Sequence, residues 1–132
     1  MYLLDTNACI ALLNGTSPPL VERLRGCTPS DVCLCSVVKA ELIFGARHSV
    51  RVNDNLRLLD RFFGAFRSLP FDDAAAAAYG ATRHDLEQRG LPIGANDLLI
   101  ASIALVHQAV LVTANVGEFS RIFGLHVENW QA

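Results

Sequence analysis

Short unbroken apolar runs alternate along the chain with longer stretches in which apolar residues recur at helical spacing. Tyr2-Leu3-Leu4 reads as a buried strand, and Thr6-Asn7 open a helix to about Asn14-Gly15. Ser17-Pro18-Pro19 breaks the chain, and a second helix over about 19–25 ends at Gly26. Asp31-Val32-Cys33-Leu34-Cys35 is the second strand, with Ser36 the expected N-cap of a helix to about Arg47. Val52, Leu56, Leu59, Phe62, Phe63 and Phe66 predict a helix over about 51–66, after which Ser68-Leu69-Pro70-Phe71 is a short strand at most. Asp72 or Asp73 caps a long helix from Ala74 to about Arg89, built on an Ala run and stopped by Gly90-Leu91-Pro92. Gly94-Ala95 leads into an apolar helix to about Gln108, and Ala109 to Thr113 form a further buried strand. A helical turn at 117–122 and a strand near His126-Val127 follow. Strands alternating with helices predict an α/β fold: a single three-layer α/β/α domain over residues 1–132 with a central parallel sheet of four or five strands.

Three carboxylates interrupt this apolar pattern. Asp5 follows Tyr2-Leu3-Leu4, Glu41 lies within Val37-Val38-Lys39-Ala40-Glu41-Leu42-Ile43-Phe44, and Asp97 is the only charge between Ile93 and Val106. A buried ionised carboxylate is costly unless something cationic compensates it. No matching Lys or Arg faces these acids from their own segments, which leaves a divalent metal as the natural partner. In open parallel sheets ligands bind outside the carboxyl ends of the strands, and all three acids fall at such strand–helix junctions. Each also has a plainer reading. Asp5 can cap the helix that follows it, Asp97 can complement a helix dipole, and Glu41 can pair with Lys39, although residues two apart on a helix do not face each other.

Composition narrows the partners. The apolar fraction is 52% against 18% charged residues, which suits a sheet covered on both faces and permits a hydrophobic partner surface. The net charge of −2 gives no bulk field for nucleic acid, so phosphate recognition has to be local. Cys9, Cys27, Cys33 and Cys35 contain no C-x-x-C pair and read as small buried thiols of a reducing cytoplasm. His48, His84, His107 and His126 lack the spacing of paired zinc ligands. An Asp at position 5 comes too early for a signal peptide, and the apolar run around 98–106 is too short to span a membrane. These features predict a soluble cytoplasmic chain with no membrane partner.

The acids lie in segments that resemble a known family. Leu3-Leu4-Asp5-Thr6-Asn7, Lys39-Ala40-Glu41-Leu42-Ile43-Phe44-Gly45, Gly94-Ala95-Asn96-Asp97-Leu98-Leu99-Ile100-Ala101 and Leu111-Val112-Thr113-Ala114-Asn115 are similar to the four successive motifs of PIN-domain ribonucleases, specifically the VapC-type toxins of toxin–antitoxin pairs. Val127-Glu128-Asn129-Trp130 is also typical of that group. The resemblance implies a Mg²⁺- or Mn²⁺-dependent endoribonuclease held inactive by an antitoxin encoded alongside it. It matches Asp5 and Asp97 to the metal-binding acids and Glu41 to the acid completing the cluster. Thr6 and Asn7 match positions that orient the Asp5 carboxylate, and Thr113 a hydroxyl near the metal. Asn115 stands where an Asp commonly occurs, and Glu118 is the nearest carboxylate, so a second metal site stays open.

Hydrolysis by a metal-activated water would leave a 5′-phosphate and a 3′-hydroxyl. Arg outnumbers Lys ten to one, and Arg47 with Arg51, then Arg57 with Arg61, form i,i+4 pairs that could wall an RNA groove or simply be a solvated face. Arg83 and Arg89 are a second candidate. The resemblance implies a tRNA substrate ahead of an mRNA, and together with the high apolar fraction it implies a homodimer that binds an amphipathic antitoxin segment. The alternative is a non-cleaving RNA- or protein-binding module, its fourth acidic position degraded to Asn115. An Asp-nucleophile phosphatase would want an acid at position 7, where Asn7 stands.

Overall fold

The computed structural model describes residues 1–132. Its strands are β1 (Tyr2–Leu4), β2 (Val32–Cys35), β3 (Arg67–Leu69), β4 (Val110–Val112) and β5 (His126–Glu128). Its helices are α1 (Thr6–Asn14), α2 (Pro18–Arg25), α3 (Ser36–Arg47), α4 (Val52–Phe63), α5 (Asp73–Gln88), α6 (Ala95–His107) and α7 (Val116–Phe119). The strands form one parallel sheet in the order β3-β2-β1-β4-β5. Leu3 and Leu4 in β1, and all four residues of β2, are buried. Successive strand residues point to opposite faces, so helices must cover the sheet on both sides. This is the three-layer arrangement that the unbroken apolar runs predict.

The strand order positions the site. The chain steps outward from β1 through β2 to β3, then returns to the other side of β1 and steps outward again through β4 to β5. The carboxyl ends of β1 and β4 therefore flank the point where the sheet order reverses, where a crevice forms. Leu3 lies beside Leu111 and Leu4 beside Val112 in register, so the residues that follow, Asp5 and Thr113, emerge side by side. Helix α6 underpins this edge. Leu98 and the run Ile100–Ala104 are buried, and Gln108 ends the helix in a left-handed conformation (φ 51°).

Several boundaries differ from expectation for local reasons. Cys35, not Ser36, is the N-cap of α3; Ser36 is the first helical residue, and its Oγ accepts a hydrogen bond from Phe71 N at 3.2 Å, tying down the segment after β3. Helix α4 stops at Phe63 with Gly64 as its C-cap, and Phe66 packs edge-on against Phe62 from outside the helix. The third strand takes in Arg67 and stops before Pro70, which has no N–H to give to a ladder. The turn expected at 117–122 is a helix over Val116–Phe119, anchored by the buried Phe119. Burial pushes the Cys33 thiol up to about 11 and raises Cys9 and Cys35 as well, so all three are neutral core thiols. No helix is long and apolar enough to cross a membrane.

Candidate active site

Asp5 is the first residue past β1. Its backbone N–H donates to Val112 O at 3.1 Å, which clamps it between β1 and β4. Its extended backbone makes it the N-cap of α1, with Oδ1 accepting from Ala8 N at 2.8 Å. Only 5% of the residue is exposed. Burial raises its pKa, the Thr113 hydroxyl and Ala8 N–H oppose that rise, and Glu41 adds to it. The capping role is real, and the Thr113 hydroxyl adds a second contact to the same carboxylate.

Glu41 projects from the second turn of α3. Its Oε1 accepts from Thr6 Oγ1 at 2.5 Å and its Oε2 from Asn96 Nδ2 at 3.3 Å, so three helices converge on one carboxylate. Thr6 was expected to orient Asp5; the structure turns its hydroxyl to Glu41 instead. Asn7 is exposed on α1, and Asp5 receives its hydrogen bond from the next residue, Ala8. Asn96 is the contact that sequence reasoning missed, although it sits beside Asp97 in the motif.

Asp97 stands in the first turn of α6, at the positive end of the helix. Its pKa is pushed up to about 6, first by burial and then by Glu118, Glu41 and Asp5. Each of the other acids thus lies close enough to repel its charge. Glu118, on α7, is its neighbour: a Cβ on Gly94 would lie 3.8 Å from Asp97 Oδ2 and 3.9 Å from Glu118 Oε1. Glu118 Oε1 accepts from Gly94 N at 3.0 Å and Oε2 from Asn115 Nδ2 at 2.7 Å, and these bonds hold its pKa below the ordinary carboxylate value. Asn115 therefore orients an acid. Thr113 is buried, and its Oγ1 accepts from Asn115 N at 3.0 Å.

None of the four acids takes part in the five ion pairs of the chain. No three Asp, Glu, His or Cys side chains stand in a ready ligand arrangement, because Glu41 and Glu118 are turned onto Thr6, Asn96, Gly94 and Asn115. The donor set nevertheless fits a hard divalent cation. It offers oxygens only, and the mutual repulsion that raises Asp97 is what a bound cation relieves. An open cleft of about 670 Å³, within the size range of small-ligand sites, is lined by Thr6, Ser36, Ala40, Glu41, Phe44 and Asn96, so Glu41 is the acid that faces it.

The arginines divide differently from their spacing. Arg47 ends α3 and Arg51 is the N-cap of α4, so the turn between the two helices prevents the pair from sharing one helix face. Arg57 is paired with Asp54 on α4. Arg83 on α5 is held by Glu87 at 2.9 Å and by the Tyr79 hydroxyl at 3.1 Å, which leaves it less free for phosphate.

The PIN domain family model matches residues 2–124. Ribonuclease VapC2 of Rickettsia felis is 39% identical over 98% of both chains. The tRNA(fMet)-specific endonuclease VapC of Salmonella typhimurium is 36% identical over 98% of this chain and 97% of its own length. The solved structure of DNA-bound VapBC from Salmonella typhimurium superposes with a TM-score of 0.92 at 35% identity, covering 98% of this chain and 97% of the matched one. With matches spanning nearly the whole sequence and the fold together, the chain belongs to the PIN-domain family and, within it, to the VapC ribonucleases.

Proposed function

We propose that this protein is the toxin of a toxin–antitoxin pair, an endoribonuclease that hydrolyses RNA phosphodiester bonds with Mg²⁺ or Mn²⁺. The observation that carries the reading is the gathering of Asp5, Glu41, Asp97 and Glu118 at one sheet edge with no cationic side chain paired to them. Asp5 and Asp97 would hold the ion, with Glu41 and Glu118 completing the acidic ring. A bound divalent ion supplies an activated water and neutralises charge on the scissile phosphate. Thr6 and Asn96 hold Glu41 in place, while Asn115 and the Gly94 N–H do the same for Glu118. Thr113 supports Asp5 from the neighbouring strand. A 2′-hydroxyl route usually needs a His pair, and none of the four histidines is among these contacts.

A tRNA is the favoured substrate, on the likeness to the tRNA(fMet)-specific relative. An antitoxin segment has a fitting seat in the apolar groove between α1, α3 and α4, lined by Ile10, Leu13, Leu42, Leu58 and Leu59. Glu41 borders the same groove, so an occupant would reach the acids. A homodimer and a cytoplasmic location complete the reading. The test is cleavage of RNA by the purified protein with Mg²⁺ or Mn²⁺, with EDTA as control. Cleavage should stop in EDTA and in Asp5→Asn or Asp97→Asn, and the fragments should carry 5′-phosphate ends. Cleavage that persists in EDTA, or full activity in either variant, would refute the assignment.

A further inference from the structure

Three residues beyond Glu118 the chain carries Arg121, and two further on Phe123. Phe123 is 73% exposed, yet it is not loose. The Arg89 guanidinium lies over its ring, 4.1 Å from the centroid. Arg89 is itself fixed: Nε and Nη2 donate to Asp85 Oδ2 at 3.0 and 2.6 Å, and Nη2 also donates to the Arg121 carbonyl at 2.5 Å. Arg121 Nη1 donates to Pro92 O at 3.0 Å, and no carboxylate pairs with its guanidinium. Two residues after Pro92, Gly94 donates to Glu118 beside Asp97. An exposed aromatic ring braced by Arg89 thus lies two residues from an exposed cation that is in no close ion pair and whose charge reaches Glu118, one short loop from the acids.

A ring kept only to fill space would be buried. Held in place but open to water, this one offers a flat apolar surface whose mobility is already restricted, which lowers the entropic cost of ordering a ligand on it. Unpaired RNA bases bind by stacking on Phe rings and on Arg planes, and every base has a face to offer. A base within a duplex is already stacked on its neighbours. The exposed charge beside the ring complements a phosphate.

We infer that Phe123, braced by Arg89, is a stacking shelf for one unpaired nucleobase of the RNA strand next to the scissile phosphate, with Arg121 meeting the adjoining backbone phosphate. The inference rests on the ribonuclease reading above and narrows its substrate to RNA that is single-stranded around the cut.

The test measures fluorescence anisotropy of a short labelled single-stranded oligoribonucleotide in EDTA, where nothing is cut, against the wild type, Phe123→Ala, Phe123→Trp and Arg121→Gln. Phe123→Ala should weaken binding about tenfold or more, the range of one lost base stack, and Phe123→Trp should retain it. Arg121→Gln should flatten the plot of log affinity against log salt by about 0.7, one single-strand phosphate contact. A duplex of the same sequence should bind Phe123→Ala and the wild type alike. Unchanged single-strand affinity in Phe123→Ala overturns the shelf, as does an equal loss on duplex. So does a drop in oligomeric mass by sedimentation with RNA affinity intact, which would assign the ring to a second copy of the chain. A wild type that cuts RNA with metal while Phe123→Ala binds normally sinks the shelf alone; a wild type that neither cuts nor binds sinks the ribonuclease reading with it.

Discussion

At the scale of one residue, Asp97 is ionised at neutral pH against its surroundings, since burial and three neighbouring acids move its pKa from an ordinary 3.8 up to about 6. The folded chain therefore binds more protons than the unfolded chain between those two values, and stability falls as pH rises through that window. Above it the full cost of the charge is present. The carboxylate is only partly buried, so solvent screening reduces the cost to about 1 kcal/mol. Asp97→Asn is expected to raise the Tm of the metal-free protein by about 2–4 °C at pH 7.5 and to leave it unchanged near pH 3. Mg²⁺ or Mn²⁺ should raise the wild-type Tm by mass action but not that of the variant. Thermal unfolding with and without metal checks both halves, and a variant less stable than the wild type at pH 7.5 would show that Asp97 is structural.

At the scale of elements, the site depends on short pieces holding long ones. Helix α7 has four residues, too few to persist alone, and it is kept by the burial of Phe119 and by the bonds of Glu118 to Gly94 and Asn115. Glu118 is also the largest charge acting on Asp97. Wild-type cleavage at limiting Mg²⁺ should fall as pH drops through about 6, because protonated Asp97 cannot serve a cation. Glu118→Gln should lower the rate at limiting Mg²⁺ and move that acid limb to lower pH; an unmoved limb with an unchanged rate would remove Glu118 from the site. Much of this arrangement was legible in the sequence. Unbroken apolar runs marked β1, β2 and β4, and Asp5 directly past the first of them, Glu41 early in the helix after the second and Asp97 at the start of the helix before β4 could be expected at one sheet edge. The wiring was not legible. Thr6 reaches Glu41 across 35 positions and Asn96 reaches it across 55, and local propensity says nothing about partners so distant. Ser36 has the residue type of an N-cap, yet a backbone N–H from beyond β3 engages its hydroxyl. Arg47 and Arg51 had helical spacing, but the helix ended between them.

At the scale of the molecule, the strand order fixes two surfaces relative to each other. The reversal between β1 and β4 sets the acids at one edge, and α1 and α3, which leave that edge, carry the exposed apolar side chains Ile10, Ile43 and Phe44 beside it. Helix α4 adds Leu58, which is 42% exposed on the rim of the groove that Glu41 also borders. A partner seated there covers apolar surface and approaches the acids in one event, so capture and inhibition should share a single affinity. Leu58→Asp tests this coupling without touching the chemistry. Its side chain is half in solvent, so the fold should lose about 1 kcal/mol or less. A charge forced against an apolar partner face should weaken capture of the proposed antitoxin by tenfold or more, at about 1.4 kcal/mol per decade. RNA cleavage by the isolated variant should match the wild type, while cleavage in the presence of the partner should resist inhibition by the same factor. Titrating the partner against RNase activity reads both quantities. Weakened capture with undiminished inhibition would mean that the groove and the acids are engaged by separate parts of the partner.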